Sequence, residues 1–221
     1  MAAAPTTDVT SNVQQLSLNN NAATDLRSKL KGVIDSRYAG EIVHFRGIPF
    51  ATISQRFAKP EPVQFPGDTT EYTKFGPRCP QIPFDTRDFM QIPKNIPKDP
   101  TPAEDELKCT NLNVTCPTST DATNLPVLMW IYGGSMVHAY GNAEQRLGDA
   151  GPLVAQSIEL GKPIILVTIH YRLNIFSFGN GEGEVNLAIQ DQKAALKWVK
   201  KNIDKFGGDP VSNAFPSEKS N

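Results

Sequence analysis

Two glycines and a serine directly after an apolar run, Gly133-Gly134-Ser135, are the residues whose types and spacing bear most directly on chemistry. Glycines at such a turn let the backbone take unusual φ values and come close to another molecule. The wider run Gly133-Gly134-Ser135-Met136-Val137 imitates half of a Gly-x-Ser-x-Gly turn, which presents a nucleophilic serine between a strand and a helix, but its final glycine is missing. A serine nucleophile also needs a base within hydrogen-bonding reach. His44 falls in an early β-prone run, His138 follows the glycine turn and His170 closes an apolar run. No activated nucleophile is evident beside any of them, and a structural role is expected for all three. No metal or cofactor site is expected.

The turn must be held by a sheet, and the pattern of the chain says where. Residues 33–37 and 41–45 are β-prone runs around Tyr38-Ala39-Gly40, a predicted hairpin. Between Gly47 and Pro102 prolines are dense, and because proline fixes φ and lacks a donor this stretch is predicted to be mostly surface loop. Strands are predicted at 111–116, 125–131 and 163–169, with a helix at 152–160 and Gly161 as its C-terminal cap. Continuous apolar strands separated by a helix predict a mostly parallel sheet covered on both faces, with a right-handed crossover from 125 to 169. A last helix is predicted over 186–205, its buried face including Ile189, Leu196, Val199, Ile203 and Phe206. Lys197, Lys200, Lys201 and Lys205 fall on its wet side and last turns, where cations suit the helix dipole.

Composition narrows the function. Among 221 residues, 22 Lys and Arg stand against 23 Asp and Glu, a formal net charge of -1. With no excess of cations to displace phosphate counterions, nucleic acid and anionic membrane are not expected partners. No apolar run approaches membrane-spanning length. Residues 1–25, rich in Ala, Thr, Asn and Gln, read as a disordered leader and not as a secretory signal, since a basic n-region and an apolar h-region are both missing. A cytoplasmic location is therefore expected, or a secreted one if the true N-terminus lies upstream. Of the three cysteines, Cys79, Cys109 and Cys116, an odd count leaves at least one unpaired within the chain.

Several segments, in order, resemble the type-B carboxylesterase and cholinesterase-like family. Phe45-Arg46-Gly47-Ile48-Pro49-Phe50-Ala51 is similar to its early "FRGIPYA" block. Phe75-Gly76-Pro77-Arg78-Cys79-Pro80-Gln81 is similar to "GPxCPQ", and Cys109 to Val114 to the "CLxLNV" strand. Residues 129–136 read MWIYGGSM beside "WIYGGGF", and 167–173 read VTIHYRL beside "VTVNYRL". Asn186-Leu187, Asp191-Gln192 and Ala195 to Val199 follow "GNxGLxDQxxALxWV", and Asn202-Ile203 with Phe206 to Pro210 follow "NIxxFGGDP".

The resemblance implies an α/β fold, the front part of an α/β-hydrolase spanning residues 26–210, with 211–221 an off-family tail. It places Gly133, Gly134 and Ser135 on the loop that supplies oxyanion-hole N–H donors, Gly134 and Ser135 carrying them. Ser135 stands where the family has a third glycine, and its Cβ restricts φ. Arg172 and Asp191 correspond to a structural pair under the active site, and Cys79 and Cys109 to the family's first disulfide. Arg46 normally meets a glutamate two residues before the strand cysteine; here that position is Leu107, with Glu106 one position off. Asn113-Val114-Thr115 is a glycosylation sequon by pattern only, because it falls on a strand.

The family's activity is hydrolysis of carboxylic esters through an acyl-enzyme on serine, so a small-molecule ester is the expected partner of a complete domain. Nucleophile, acid and histidine all belong downstream of Pro210, and the chain is expected to stop before them and to be inactive alone. The alternatives are a non-catalytic cholinesterase-like interaction module and a fragment without independent function. In the last case strand 163–169 is expected to carry an open edge that promotes aggregation.

Overall fold

A computed structural model describes residues 29–65, 70–83, 85, 91–93, 95–96, 101–119, 121–140, 142–181 and 183–211. The expected leader at 1–25 and, apart from Val211, the expected tail lie outside the described residues. Among the described residues nine strands follow in chain order: β1 (Leu30–Lys31), β2 (Val33–Ile34), β3 (Ile42–Pro49), β4 (Ala51–Thr52), β5 (Glu61–Pro62), β6 (Thr70–Glu71), β7 (Asn111–Pro117), β8 (Val127–Trp130) and β9 (Ile165–Ile169). Three helices, α1 (Gly151–Glu159), α2 (Ile175–Phe178) and α3 (Leu187–Asn202), fall between and after the last strands, and a 3-10 turn, Ile203–Phe206, extends α3.

The central sheet has five strands in the order β2-β3-β7-β9-β8. The early hairpin forms as predicted, Val33 facing His44 and Ile34 facing Val43, with Ala39 and Gly40 turning through positive φ. The expectation of a mostly parallel sheet is corrected, because within the described residues the sheet is mixed. β2–β3, β3–β7 and β7–β9 are antiparallel, and β8–β9 is parallel. Parallel neighbours need a crossover long enough to return the chain, and α1 supplies one between β8 and β9. Apolarity reveals that a strand is buried, not which way its neighbour runs. A second correction concerns the edge. Strand 163–169 is not open, since β9 pairs with β7 on one side and β8 on the other. The outer strand is β8, where Leu128 and Trp130 keep 38% and 46% of their surface.

Period-two alternation sorts the side chains onto two faces. Val43 and Phe45 of β3, Leu112, Val114 and Cys116 of β7, and Ile165, Val167 and Ile169 of β9 join one core with Ala195, Trp198 and Phe206. Ile42 and Leu166 point the other way, into a smaller cluster with Val154 of α1 and Ala150, the residue just before that helix. The rest of that second face is polar: His44, Asn113, Thr115 and Thr168 are all buried there.

Helix α3 and its 3-10 extension bury Val199, Ile203 and Phe206 as predicted, but the rest of the buried face differs from the prediction. Ile189 and Leu196 remain 45% and 40% exposed, while Ala188, Asp191, Ala195, Trp198, Val199 and Asn202 are buried. Asn202 is satisfied by the Trp198 carbonyl at 2.9 Å. Asp191 faces inward onto Arg172, on the same side of the helix as Ala188, Ala195 and Trp198.

Candidate functional site

The glycine turn leaves the end of β8 through Tyr132, and an aromatic clasp fixes its departure. The Tyr132 and Tyr171 rings stack with centroids 4.5 Å apart. The Tyr171 hydroxyl donates to the Tyr132 carbonyl at 2.7 Å, and the Tyr132 hydroxyl donates to the Tyr171 carbonyl at 2.9 Å. The loop is therefore tied to Tyr171, two residues past the end of β9, by two buried hydrogen bonds, in a region where unmade ones are expensive.

Beyond Tyr132 the loop closes on itself. The Gly134 carbonyl accepts from the N–H of Val137 at 2.9 Å and of His138 at 3.1 Å, and the Gly133 carbonyl accepts from Tyr140. Gly134 has φ +126, and a Cβ built on it would lie 2.2 Å from the His138 carbonyl oxygen. Ser135 and Met136 follow with φ 55 and 61, left-handed values that an L side chain rarely takes. The limit placed on Ser135 by its Cβ is thus met in the left-handed region and does not prevent the turn. The backbone N–H groups of Gly134 and Ser135 donate to no atom among the described residues. Replacing Gly134 with alanine is expected to lower unfolding stability by about 1–3 kcal/mol through backbone strain and the carbonyl clash. Gly133→Ala, where nothing lies within 4 Å of the new Cβ, is the tolerated control. Urea melts of the two variants check this, and equal midpoints would refute it.

A neighbouring segment grips the loop from outside. Cys79 and Cys109 form a disulfide, and both are fully buried. From the segment this bond anchors, Gln81 Oε1 accepts from the Ala139 N–H at 2.9 Å, the Ile82 carbonyl lies 3.1 Å from His138 Nδ1, and the Pro80 carbonyl accepts from Asn174 Nδ2 at 2.9 Å. Asn174 in turn donates its N–H to the Met136 carbonyl at 2.6 Å. Gln81 and Asn174 carried no signal for these roles in the sequence, because the contacts join segments 58 and 94 residues apart.

Below the loop, Arg172 and Asp191 meet in a two-point contact. Arg172 Nε and Nη2 donate to Asp191 Oδ2 and Oδ1 at 2.9 and 2.7 Å, and the Arg172 N–H donates to Oδ2 at 3.0 Å. Nη1 is taken by the Ala58 carbonyl at 2.7 Å.

The histidines are placed apart. His44 Nε2 lies 3.0 Å from Asp35 Oδ2 and its Nδ1 3.0 Å from Thr115 Oγ1. A hydroxyl, an imidazole and a carboxylate in line superficially suggest nucleophilic catalysis. Burial lowers the His44 pKa in spite of Asp35, and Arg46 lowers it further. The imidazolium that general-base catalysis must form is opposed at this place. Asp35 is also held by Arg37 at 2.6 Å, so the relay fits a satisfied polar network between hairpin and sheet. His170 is buried against Glu144, with Nε2 3.9 Å from Oε1. Desolvation raises the Glu144 pKa to about 7 and lowers that of His170 to about 4. At that separation burial outweighs their mutual attraction. Asn113 spends its side chain on the Gly47 N–H and the Thr168 hydroxyl, and at 5% exposure it presents no sequon to solvent. Cys116 is a buried thiol on β7. Among the described residues no cluster of His, Cys, Asp and Glu has the arrangement of a metal site, and no helix is long and apolar enough to cross a membrane.

The sequence and the fold both have counterparts among known proteins. The model of the carboxylesterase family matches residues 20–212. Lipase 1 of Yarrowia lipolytica (strain CLIB 122 / E 150) is 36% identical over 190 residues, covering 83% of this chain and 37% of that protein. The para-nitrobenzyl esterase of Bacillus subtilis (strain 168) is 35% identical over 204 residues, covering 87% of this chain and 37% of the relative. The chain thus spans a little over a third of the length of these curated relatives. A solved structure of a thermophilic PNB esterase superposes with a TM-score of 0.63 at 34% identity, over 82% of this chain and 35% of that one. The architecture is accordingly the corresponding part of an α/β-hydrolase fold, and the chain belongs to the carboxylesterase family.

Proposed function

We propose that this chain supplies the oxyanion-stabilising part of a carboxylic ester hydrolase and turns over no ester as the 221-residue polypeptide. The observation that carries the reading is the pair of unspent N–H groups at Gly134 and Ser135, on a loop held rigid at the end of β8. Hydrolysis of an ester passes through a tetrahedral intermediate with negative charge on oxygen, and fixed donors in a dry site stabilise that charge. A donor pair alone creates no such charge, because an attacking hydroxyl is also needed. The sequence holds no Gly-x-Ser-x-Gly.

The path of the chain after α3 supports the same reading. The Leu125 N–H donates to the Gly207 carbonyl at 3.0 Å, and the Asp209 N–H donates back to the Leu125 carbonyl at 2.8 Å. This parallel bridge brings the chain alongside the outer strand β8, where by the family resemblance the serine-bearing strand follows. A non-catalytic interaction module has one observation on its side: Ile175 and Phe178 on α2 are 64% and 68% exposed. The buried Cys79–Cys109 bond favours an oxidising compartment over the cytoplasm.

The test is hydrolysis of p-nitrophenyl acetate by the purified chain, with a serine-directed phosphonate as a covalent probe. The expected result is nitrophenolate release at the buffer rate and no mass increase after treatment with the probe. A nitrophenolate burst with one acyl group retained per chain would overturn the proposal.

A further inference from the structure

The polar strip on the second face of the sheet holds a cation, Arg46, that no carboxylate among the described residues pairs with. His44 and Arg46 of β3 both lie on that face, Arg46 where the β3–β7 register shifts between Phe45 and Ile48, beside Asn113 and Thr115 of β7. Most of these groups satisfy one another: His44 takes Asp35 and Thr115, and Asn113 takes Thr168 and Gly47. Arg46 does not share in this. Its guanidinium lies over the Phe75 ring, 4.4 Å from the centroid, and no carboxylate among the described residues lies within 4 Å of it. Its Nε is buried without a hydrogen-bond partner. Glu106, the nearest acid in sequence to the family's partner position, is spent on Arg56 at 2.9 and 3.1 Å. Burial lowers the Arg46 pKa, as expected of a cation short of counter-charge, while Asp35 and Asp149 offset part of the effect.

Arg46 also borders a cavity of about 170 Å³, walled further by Arg37, Phe75, Glu144, Arg146 and Asp149. Arg37 is already paired, with Asp35 and Asp149 at 2.6 Å each. We propose that Arg46 anchors a binding site for a small monocarboxylate, the carboxylate on the guanidinium edge and the carbon skeleton in the cavity. A guanidinium presents a donor fork that matches a carboxylate in two-point contact. Phosphate would match the fork as well, and it is the competing anion that the experiment separates from a carboxylate. A skeleton of a few carbons fits within the cavity. This site lies on the opposite face of the sheet from the α3 core and does not depend on the hydrolase reading.

The experiment uses the 221-residue chain, with propionate, the isosteric neutral propionamide and inorganic phosphate as probes. Binding is read by saturation-transfer NMR and by melting temperature. Propionate is expected to show transfer and raise the melting temperature, and propionamide to do neither. Arg46→Gln is expected to weaken propionate at least about tenfold, the loss of a charge-assisted two-point contact. Equal responses to acid and amide, unchanged affinity in R46Q, or tighter binding of phosphate than of propionate would each overturn the assignment. Should R46Q fail to fold, the acid–amide comparison on the unmodified chain decides the matter.

Discussion

Asp191→Ala is expected to destabilise the fold by about 3–5 kcal/mol, the cost of leaving one member of a buried ion pair without its partner. Both groups are out of water: Asp191 is fully buried and Arg172 is 2% exposed. The substitution strands three donors at once, Arg172 Nε, Nη2 and the backbone N–H. Nη1 keeps the Ala58 carbonyl, so the guanidinium is not free to turn toward solvent. Domains are stable by only about 5–15 kcal/mol, so the loss takes a large part of the total. The effect should also reach the glycine turn, because Arg172 directly follows Tyr171, whose hydroxyl holds the Tyr132 carbonyl. Urea unfolding followed by the fluorescence of Trp130 and Trp198 measures the change. The double variant Arg172→Met with Asp191→Leu is expected to recover much of it, since a well-packed apolar pair removes the stranded charge. An Asp191→Ala midpoint indistinguishable from the parent would show that the pair is not held as described.

Much of this scaffold was legible in the sequence, and the parts that were not share a physical cause. The strands, the α1 helix ended by Gly161 and the glycine turn announce themselves through local signals, namely apolar runs, a capping residue and a doublet that only a tight turn needs. The direction of the sheet did not, because a buried strand reads the same beside a parallel or an antiparallel neighbour. Hydrophobicity placed Val199, Ile203 and Phe206 correctly but misjudged the rest of the α3 face, counting Asp191 and Asn202 as outward and Ile189 and Leu196 as inward; only the family resemblance put Asp191 against Arg172. The burial of Asp191 and Asn202 depends on Arg172 and on the Trp198 carbonyl, partners that periodicity does not see. Arg46 is an intermediate case. Its missing acid partner was visible at Leu107, but the cavity beside it depends on the register of β3 with β7. The Asp35–His44–Thr115 relay was invisible for the same reason: the Asp35–His44 contact needs the hairpin register, and Thr115 lies 71 residues from His44.

Removing the Cys79–Cys109 bond by serine substitution at both positions is expected to cost about 3–4 kcal/mol, chiefly by freeing the unfolded chain. The sequence separation is 30, long enough for the closed loop to carry that much entropy. The consequence is also local. The segment after Cys79 contributes Gln81, Ile82 and Pro80 to the clamp on residues 138, 139 and 174. Once the cross-link is gone, the amide of Ala139 should exchange with solvent faster, relative to the β9 amides, than the global loss of stability accounts for. Dithiothreitol on the parent chain should reproduce both effects, and on the serine variant it should do nothing further. Thiol counting in denaturant provides the decisive number. One reactive thiol, that of Cys116, is expected before reduction. A count of three in freshly purified protein would mean that the loop is held without the cross-link, and the expected loss on substitution would then shrink to that of two buried sulfurs exchanged for oxygens.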